Sequence, residues 1–351
     1  MHDSAEIVPE PTLAAKVEFL SRAEAYPRRP AEVSTRETHM SWVFLAGDTV
    51  YKLKKPVHFP YLDFSTLARR EAACRAELRL NRRLAPDVYL EVAPLVSSAA
   101  GLAIGGSGTT IDWLVVMRRL DERNMLDRSI AERRLETWQL DRLVATLVRF
   151  YRQAARVYFS PAMHLAEWQR SLAENRSGLL HPRLDIPPGI VQHLDAVQRR
   201  FLARRARMLA DRVRHRRIVD GHGDLRPEHI WLGDSVKIID CLEFNPRLRA
   251  VDPFDEIAYL SLECERLGAA WAGDYIKRHI GRALRDGPSE ELFTFYRCHR
   301  ATLRARLAIA HLLEPNPRTP EKWPALARTY LSLAARDAVR IERILRRPGD
   351  P

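Results

Sequence analysis

Gly221-His222-Gly223-Asp224-Leu225-Arg226-Pro227-Glu228-His229-Ile230-Trp231, followed by Val236-Lys237-Ile238-Ile239-Asp240-Cys241-Leu242-Glu243, is the stretch on which the reading of this chain turns. A histidine between two glycines does not continue a preceding helix, so Asp224 falls on a loop. Five residues later comes a second ligand-type side chain, His229, and then an apolar strand. The chain returns through Lys237 to Ile239 and delivers Asp240 from the end of that strand. Three groups able to bind a cation or a proton thus gather on one predicted hairpin. Phosphoryl transfer calls for such a set: a base that orients the acceptor, and ligands that hold Mg²⁺ on the phosphates. Taken singly, Asp224 could cap a turn and Asp240 could end a strand in solvent. The pair at this spacing, beside His222, points to chemistry instead.

Outward from this hairpin the chain divides by periodicity. Upstream, Glu32–Thr38, Trp42–Leu45 and Thr49–Lys54 alternate as strands, with Ala46-Gly47-Asp48 as a tight turn. Tyr89–Val96, Leu102–Ile104 and Ile111–Arg118 add further strands, and Phe64–Leu84 reads as a helix. A leading helix is expected over 12–25, capped by Thr12. From about residue 119 helices take over, over 130–158, 163–175, 191–215, 254–267, 269–285, 289–314 and 323–346. The expected architecture is α+β, a small antiparallel-sheet lobe followed by a larger helical lobe, with a cleft near residue 118.

Composition narrows the class. The 351 residues are 46% apolar and 29% charged, an ordinary globular balance. Lys and Arg number 57 against 45 acids, a net charge of +12. Such a surplus raises nucleic acid, an anionic membrane surface or an anionic small molecule as partners. No apolar run reaches transmembrane length, which excludes a spanning protein. Met1–Pro11 carries Asp3, Glu6 and Glu10 and lacks an apolar core, so it is not expected to be a secretory signal. Cys74, Cys241, Cys264 and Cys298 are scattered, without zinc spacing, which suggests a reduced, cytoplasmic protein with no structural metal.

The His-Gly-Asp, the ligand residue five positions on, and the Ile-Asp sixteen residues after the first Asp resemble the aminoglycoside phosphotransferase-like family of the protein-kinase-like superfamily. The resemblance implies a protein-kinase-like two-lobed fold, with residues 1–30 as an N-terminal helix and connector. Residues 31–118 would be a nucleotide-binding N-lobe, and 119–351 a C-lobe with the catalytic hairpin and acceptor-binding helices. It implies ATP as donor, Mg²⁺ as metal and a small-molecule hydroxyl as acceptor. Asp224 would be the catalytic base and Asp240 the main metal ligand. His229 stands where the family has Asn, a departure, because imidazole suits Mn²⁺ better than Mg²⁺. Glu243 would be an extra ligand. Val251-Asp252-Pro253-Phe254-Asp255-Glu256-Ile257-Ala258 resembles the family's Asp-Pro-x-x-Asp-Leu-Ala element, so Asp255 would buttress the catalytic loop.

Three of the seven lysines, Lys52, Lys54 and Lys55, share one strand end, although Arg, at 50 residues, dominates elsewhere. A compact ammonium on a strand reaches nucleotide phosphates and is usually fixed by a helix Glu. Lys52 is assigned that role by the resemblance, with Glu77 as partner and Glu71 in reserve. Ser41, between the first two strands, would cover the phosphates, and Met117–Arg119 would form a hinge whose backbone pairs with adenine. Gly105-Gly106-Ser107-Gly108 lacks the Lys-Ser/Thr of a phosphate loop and is expected to be a hairpin turn. Thr38–Phe44, Lys52–Pro56 and Leu80-Asn81-Arg82-Arg83-Leu84 resemble more narrowly an uncharacterised bacterial group. Some of its members fuse this domain to a P-loop ATPase, but the sequence here contains no GxxxxGK[ST].

Three readings follow. The first is an ATP-dependent phosphotransferase whose acceptor, given the +12 charge, is anionic or neutral in preference to a polycationic aminoglycoside. The second is a pseudokinase-like nucleotide-binding module, motivated by His229. The third is nucleic-acid binding through Arg199–Arg217, which holds nine Arg on an amphipathic helix. A solvated face is preferred there, because no aromatic platform interleaves the arginines.

Overall fold

The computed structural model describes residues 11–59, 61–314 and 316–346. The acidic segment 1–10, read above against a secretory signal, lies outside the described residues. The chain forms two compact units. One comprises residues 1–122 with 237–246, the other 123–236 with 247–351. The expected boundary near 118 is thus displaced by four residues, and the Asp240 segment joins the sheet unit instead of the helical one.

In the sheet unit, helix α1 (Leu13–Leu20) begins at Thr12, whose hydroxyl accepts from the Ala15 amide. A short 3-10 turn follows at Ala23–Ala25. Strands β1 (Val33–Glu37), β2 (Ser41–Ala46) and β3 (Thr49–Lys54) are joined by tight turns. A small hairpin, β4 (His58–Phe59) and β5 (Leu62–Asp63), was not anticipated. Helix α2 (Leu67–Asn81) is capped by Thr66. Strands β6 (Tyr89–Ser98), β7 (Gly101–Ile104) and β8 (Thr109–Arg118) complete the unit. The large sheet has the order β1-β2-β3-β8-β6-β7, and every neighbouring pair is antiparallel. Because β7 pairs with β6 and not with β8, Gly105–Gly108 is a connection that passes over β6. The hairpin turn expected there lies instead between β6 and β7.

Helix α2 presents a polar stripe to the interior. Arg70, Cys74, Glu77 and Asn81 recur at helical spacing and are all buried. Arg70 and Lys16 both hold buried Asp112, at 2.7 and 2.9 Å, which fixes the start of α2 and α1 on the sheet.

The helical unit contains α3 (Leu126–Ala131), α4 (Thr137–Gln153), α5 (Pro161–Leu179), α6 (Pro188–Arg214), α7 (Pro253–Arg266), α8 (Ala270–Leu284), α9 (Glu290–Ala310) and α10 (Lys322–Arg346). The single helix expected over 130–158 is two, because Arg133 turns left-handed and a capping box of Glu136 with Gln139 starts α4 afresh. Helix α7 is buried all round from Pro253 to Cys264 and forms the centre of the unit. Its N-cap Asp252 is gripped by Arg212 from α6 at 2.5 and 2.9 Å and by Tyr296 from α9 at 3.0 Å.

That grip explains part of the Arg199–Arg217 stretch. Arg199 pairs with Asp195, Arg205 with Glu291, Arg212 with Asp252 and Asp286, Arg214 with Asp211, and Arg217 with Asp286. Arg205 and Arg212 are thus committed to acids of their own unit, so part of the stretch serves packing of the helices. Among the described residues no helix is long and apolar enough to cross a membrane.

Candidate functional site

The predicted site residues fall into two sets, one in each unit. In the sheet unit, Lys52 and Lys54 lie two residues apart on β3 and therefore on one face. Both reach Glu77 of α2. Lys52 Nζ donates to Glu77 Oε1 at 2.8 Å, and Lys54 Nζ donates to Glu77 Oε2 at 2.6 Å. Each lysine also holds one carboxylate of the 237–246 segment. Lys52 donates to Asp240 Oδ1 at 3.0 Å, and Lys54 pairs with Glu243. Two ammonium groups thus bridge three carboxylates. The reserve partner, Glu71, pairs instead with Arg75 on the outer face of α2.

Burial and charge oppose each other in this cluster. Burial disfavours the Lys52 ammonium, but Asp240, Glu77 and Glu243 outweigh it and hold Lys52 above the ordinary lysine range. Glu77 is buried as well, and its two lysines bring its carboxyl below the usual value despite the desolvation. Lys52 and Glu77 are therefore both ionised at neutral pH.

The Asp240 segment is held by further contacts that the sequence reading did not assign. Asp240 has a left-handed backbone, φ +60°, and its amide donates to the buried Tyr89 hydroxyl at 3.1 Å. The Cys241 amide donates to Asn81 Oδ1 at 2.9 Å, and Asn81 Nδ2 donates to the Glu77 carbonyl at 2.9 Å. Asn81 stands in the motif Leu80-Asn81-Arg82-Arg83-Leu84, so a signal was present without a role attached to it. The side chain of Asp240 is 49% exposed and that of Glu243 is 9% exposed. Asp240 thus suits a hard divalent cation as an oxygen donor, whereas Glu243 is committed to Lys54.

Two other expected residues are placed differently. The Ser41 amide, predicted to cover phosphates, donates to Thr38 Oγ1 at 2.9 Å and closes the β1–β2 turn. Met117 lies in β8 opposite Val50 and Tyr89. The next two amides, expected to face adenine, are already spent: Arg118 donates to the Val88 carbonyl and Arg119 to that of Asp48, both at 2.8 Å.

In the helical unit the loop 221–224 is fixed from below. Glu256 of α7 accepts from the His222 amide at 2.8 Å, from the Gly223 amide and from the Tyr151 hydroxyl at 2.9 Å. The two glycines are required by this seat. Gly223 has φ +88°, and a Cβ on Gly221 would lie 2.6 Å from Val251 and 2.8 Å from Glu256. Asp255, expected to buttress this loop, points elsewhere: it forms a two-pronged pair with Arg300 of α9. The buttress is Glu256, one residue further along. The periodicity of a helix buried on every side did not separate the two neighbours.

Asp224 accepts from the Tyr259 hydroxyl at 3.2 Å and pairs with Arg226 at 2.9 Å. Burial raises its pKa, but the charges of Arg226 and Arg304 prevail and leave it below the ordinary aspartate value. It is a carboxylate throughout the neutral range, fit to accept a hydrogen bond from a hydroxyl.

His229 has both ring nitrogens engaged. Arg226 can only donate, so His229 Nε2 accepts from it at 3.2 Å, and Nδ1–H donates to the Asp224 carbonyl at 2.9 Å. An imidazole in this arrangement presents a guanidinium to its lone pair, where a metal ligand would present the metal. The donor set for Mg²⁺ therefore rests on Asp240, and His229 does not fit it.

No family model matches the chain. Uncharacterised proteins of Mycobacterium tuberculosis and Mycobacterium bovis are 32% identical over 293 residues, 81% of this chain and 56% of theirs. The chain thus spans little more than half the length of these relatives. Among solved structures, a choline kinase from Cryptosporidium parvum matches with a TM-score of 0.52 at 10% identity, covering 95% of this chain and 98% of its own. A choline kinase of Streptococcus pneumoniae gives 0.51 at 13%, covering 88% and 95%. An ethanolamine kinase of Plasmodium vivax gives 0.50 at 12%, covering 89% and 83%. The fold is therefore protein-kinase-like, in the form that small-molecule kinases use. Within that class it is the fold shared with these choline and ethanolamine kinases.

Proposed function

We propose that the protein is an ATP-dependent phosphotransferase that moves the γ-phosphoryl group to a hydroxyl of a small molecule, in the cytoplasm. The observation that carries this reading is Lys52, held at once by Glu77 and Asp240. A lysine fixed by a helix glutamate beside a half-exposed aspartate is the set that receives a metal–nucleotide. Lys52 would steady the phosphates, Asp240 would hold Mg²⁺, and Asp224 would orient the acceptor hydroxyl. Mg²⁺, when bound, would neutralise charge on the transferring phosphates. Choline and ethanolamine, the acceptors named for the structural neighbours, belong in a first substrate screen. A polycationic aminoglycoside fits the basic composition poorly.

The test is thermal shift with ATP in Mg²⁺, Mn²⁺ or EDTA, together with ATP consumption over hours. Mg-ATP should stabilise the protein, and Asp240→Asn should abolish the metal-dependent part of the shift. Unchanged turnover in Asp240→Asn would defeat the assignment. One observation favours a second reading, a nucleotide-binding module without efficient transfer: His229 is tied to Arg226 and the Asp224 carbonyl in the position of the usual metal-binding Asn. That reading predicts a nucleotide shift with no ATP consumption under any metal.

A further inference from the structure

Around Asp224 the helical unit gathers guanidinium groups. Arg226 binds the carboxylate directly, and Arg304 of α9 lies close enough for its charge to act on it. Arg304 stacks between two rings, its Cζ 6.0 Å from the Tyr259 centroid and 5.3 Å from that of Tyr330. Tyr259 is the residue whose hydroxyl donates to Asp224. Arg266 of α7 flanks Tyr330 as well, with Cζ 5.7 Å from its centroid.

Arg266 and Arg304 share a single acid. Glu263 is buried, accepts from Tyr330 at 2.7 Å and from Arg266 Nε at 2.7 Å, and lies 3.3 Å from Arg304 Nε. Both arginines reach it through Nε. Among the described residues, no hydrogen bond is made by the terminal NH₂ groups of either. Their side chains are 22% and 18% exposed. Two guanidiniums share this one carboxylate, and Arg226, itself held by Asp224 and Glu228, adds like-charge repulsion to Arg304. A planar donor edge left open beside a reacting carboxylate is what carboxylate and phosphate groups bind.

We infer that Arg266 and Arg304 form an anion clamp, and that the hydroxyl compound phosphorylated at Asp224 carries a carboxylate or phosphate group seated between them. The inference rests on the proposed function only in calling the bound anion part of the acceptor.

The clamp is tested without nucleotide, by titrating inorganic phosphate into the full chain and following binding calorimetrically. Wild type and Asp240→Asn should bind phosphate alike. Arg304→Gln and Arg266→Gln should each weaken binding at least tenfold. Glu263→Gln, which removes the acid and leaves both arginines, should tighten it severalfold, and this variant decides the matter if an arginine variant fails to fold. Absence of binding to wild type, equal binding by the arginine variants, or weaker binding by Glu263→Gln would overturn the clamp. Repeating the titration with saturating Mg-AMP-PNP separates the sources of the anion. A retained phosphate response assigns the clamp to the acceptor. Its loss would give the clamp to the nucleotide phosphates and overturn the inference. The AMP-PNP binding heat, measured separately, reports on the nucleotide reading itself.

Discussion

The two sets of candidate residues, one in each unit, are built from opposite materials. In the sheet unit two lysines serve three carboxylates, a cluster short of positive charge in which Asp240 remains half exposed. In the helical unit Arg226 holds Asp224 and Glu228 while Arg266 and Arg304 share Glu263, so charge is balanced but guanidinium edges are left open. The first environment favours arrival of a divalent cation with its nucleotide, the second the arrival of an anion. The choice of side chain follows the same division. A lysine is a compact point charge that can bridge two acids at once, whereas arginine offers a flat fork to a flat partner. In a chain with 50 Arg and seven Lys, lysine survives where bridging is needed.

The largest effect should come from Asp224, the proposed base. Asp224→Asn should lower turnover by about 10²–10⁴-fold, the range expected for loss of a positioned proton acceptor. Affinity for Mg-ATP should stay unchanged, because every contact of the Lys52 cluster lies in the other unit. A loss of nucleotide affinity in steady-state kinetics would break the division between the halves.

Next in size is Lys54→Met. It strips the buried Glu77–Glu243 pair of its shared cation, and removal of one partner from such a pair costs about 3–5 kcal/mol. Urea unfolding should show that loss, and Lys54→Arg should not restore it fully. Lys52→Met should cost less stability and more activity. If the two variants behave alike, the second lysine is not a separate structural bridge.

The smallest effect distinguishes the units by pH. Buried His164 and His299 of the helical unit are held neutral chiefly by desolvation, with pKa values brought down to about 4 and about 3. In the unfolded chain both take up a proton near the ordinary value of about 6.5. Their contribution to stability is therefore complete above about 6.5 and is lost as pH falls from there towards the folded values. Glu77, lowered by its lysines, costs stability only below the ordinary carboxylate range. Melting temperatures between pH 7 and 4.5 should fall by a few degrees, with the change in the helical unit's signal, and His299→Gln should flatten the slope. A slope unchanged in that variant would assign the acid sensitivity elsewhere.

Much of this was legible in the sequence where physics is periodic. The strands of the sheet and the helices α5 to α10 follow apolar spacing, and the His-Gly-Asp loop follows its glycines. The rest was hidden for identifiable reasons. The inward stripe of α2 is Arg70, Cys74, Glu77 and Asn81, which no apolar pattern marks. Glu256 and Asp255 are neighbours on a helix with no outer face, so spacing could not choose between them. The amides after Met117 are spent on the carbonyls of Val88 and Asp48 and that of Ser41 on Thr38, a matter of backbone pairing that side-chain identity does not reveal. The joining of 237–246 to the sheet unit depends on Lys52, Lys54, Asn81 and Tyr89, contacts between residues about 150 or more positions apart.

Asp240 sits at φ +60°, a conformation that few side chains other than Asn and Asp tolerate. The backbone there thus acts as a filter on heredity as well as on geometry. A mutation to most residues pays twice, once in lost charge and once in strain, while Asn alone among near substitutes keeps the bend and discards the charge. A lineage drifting at this position would therefore pass through Asn more readily than through Ala or Glu, and would keep the backbone contacts to Tyr89 and Asn81 when it did.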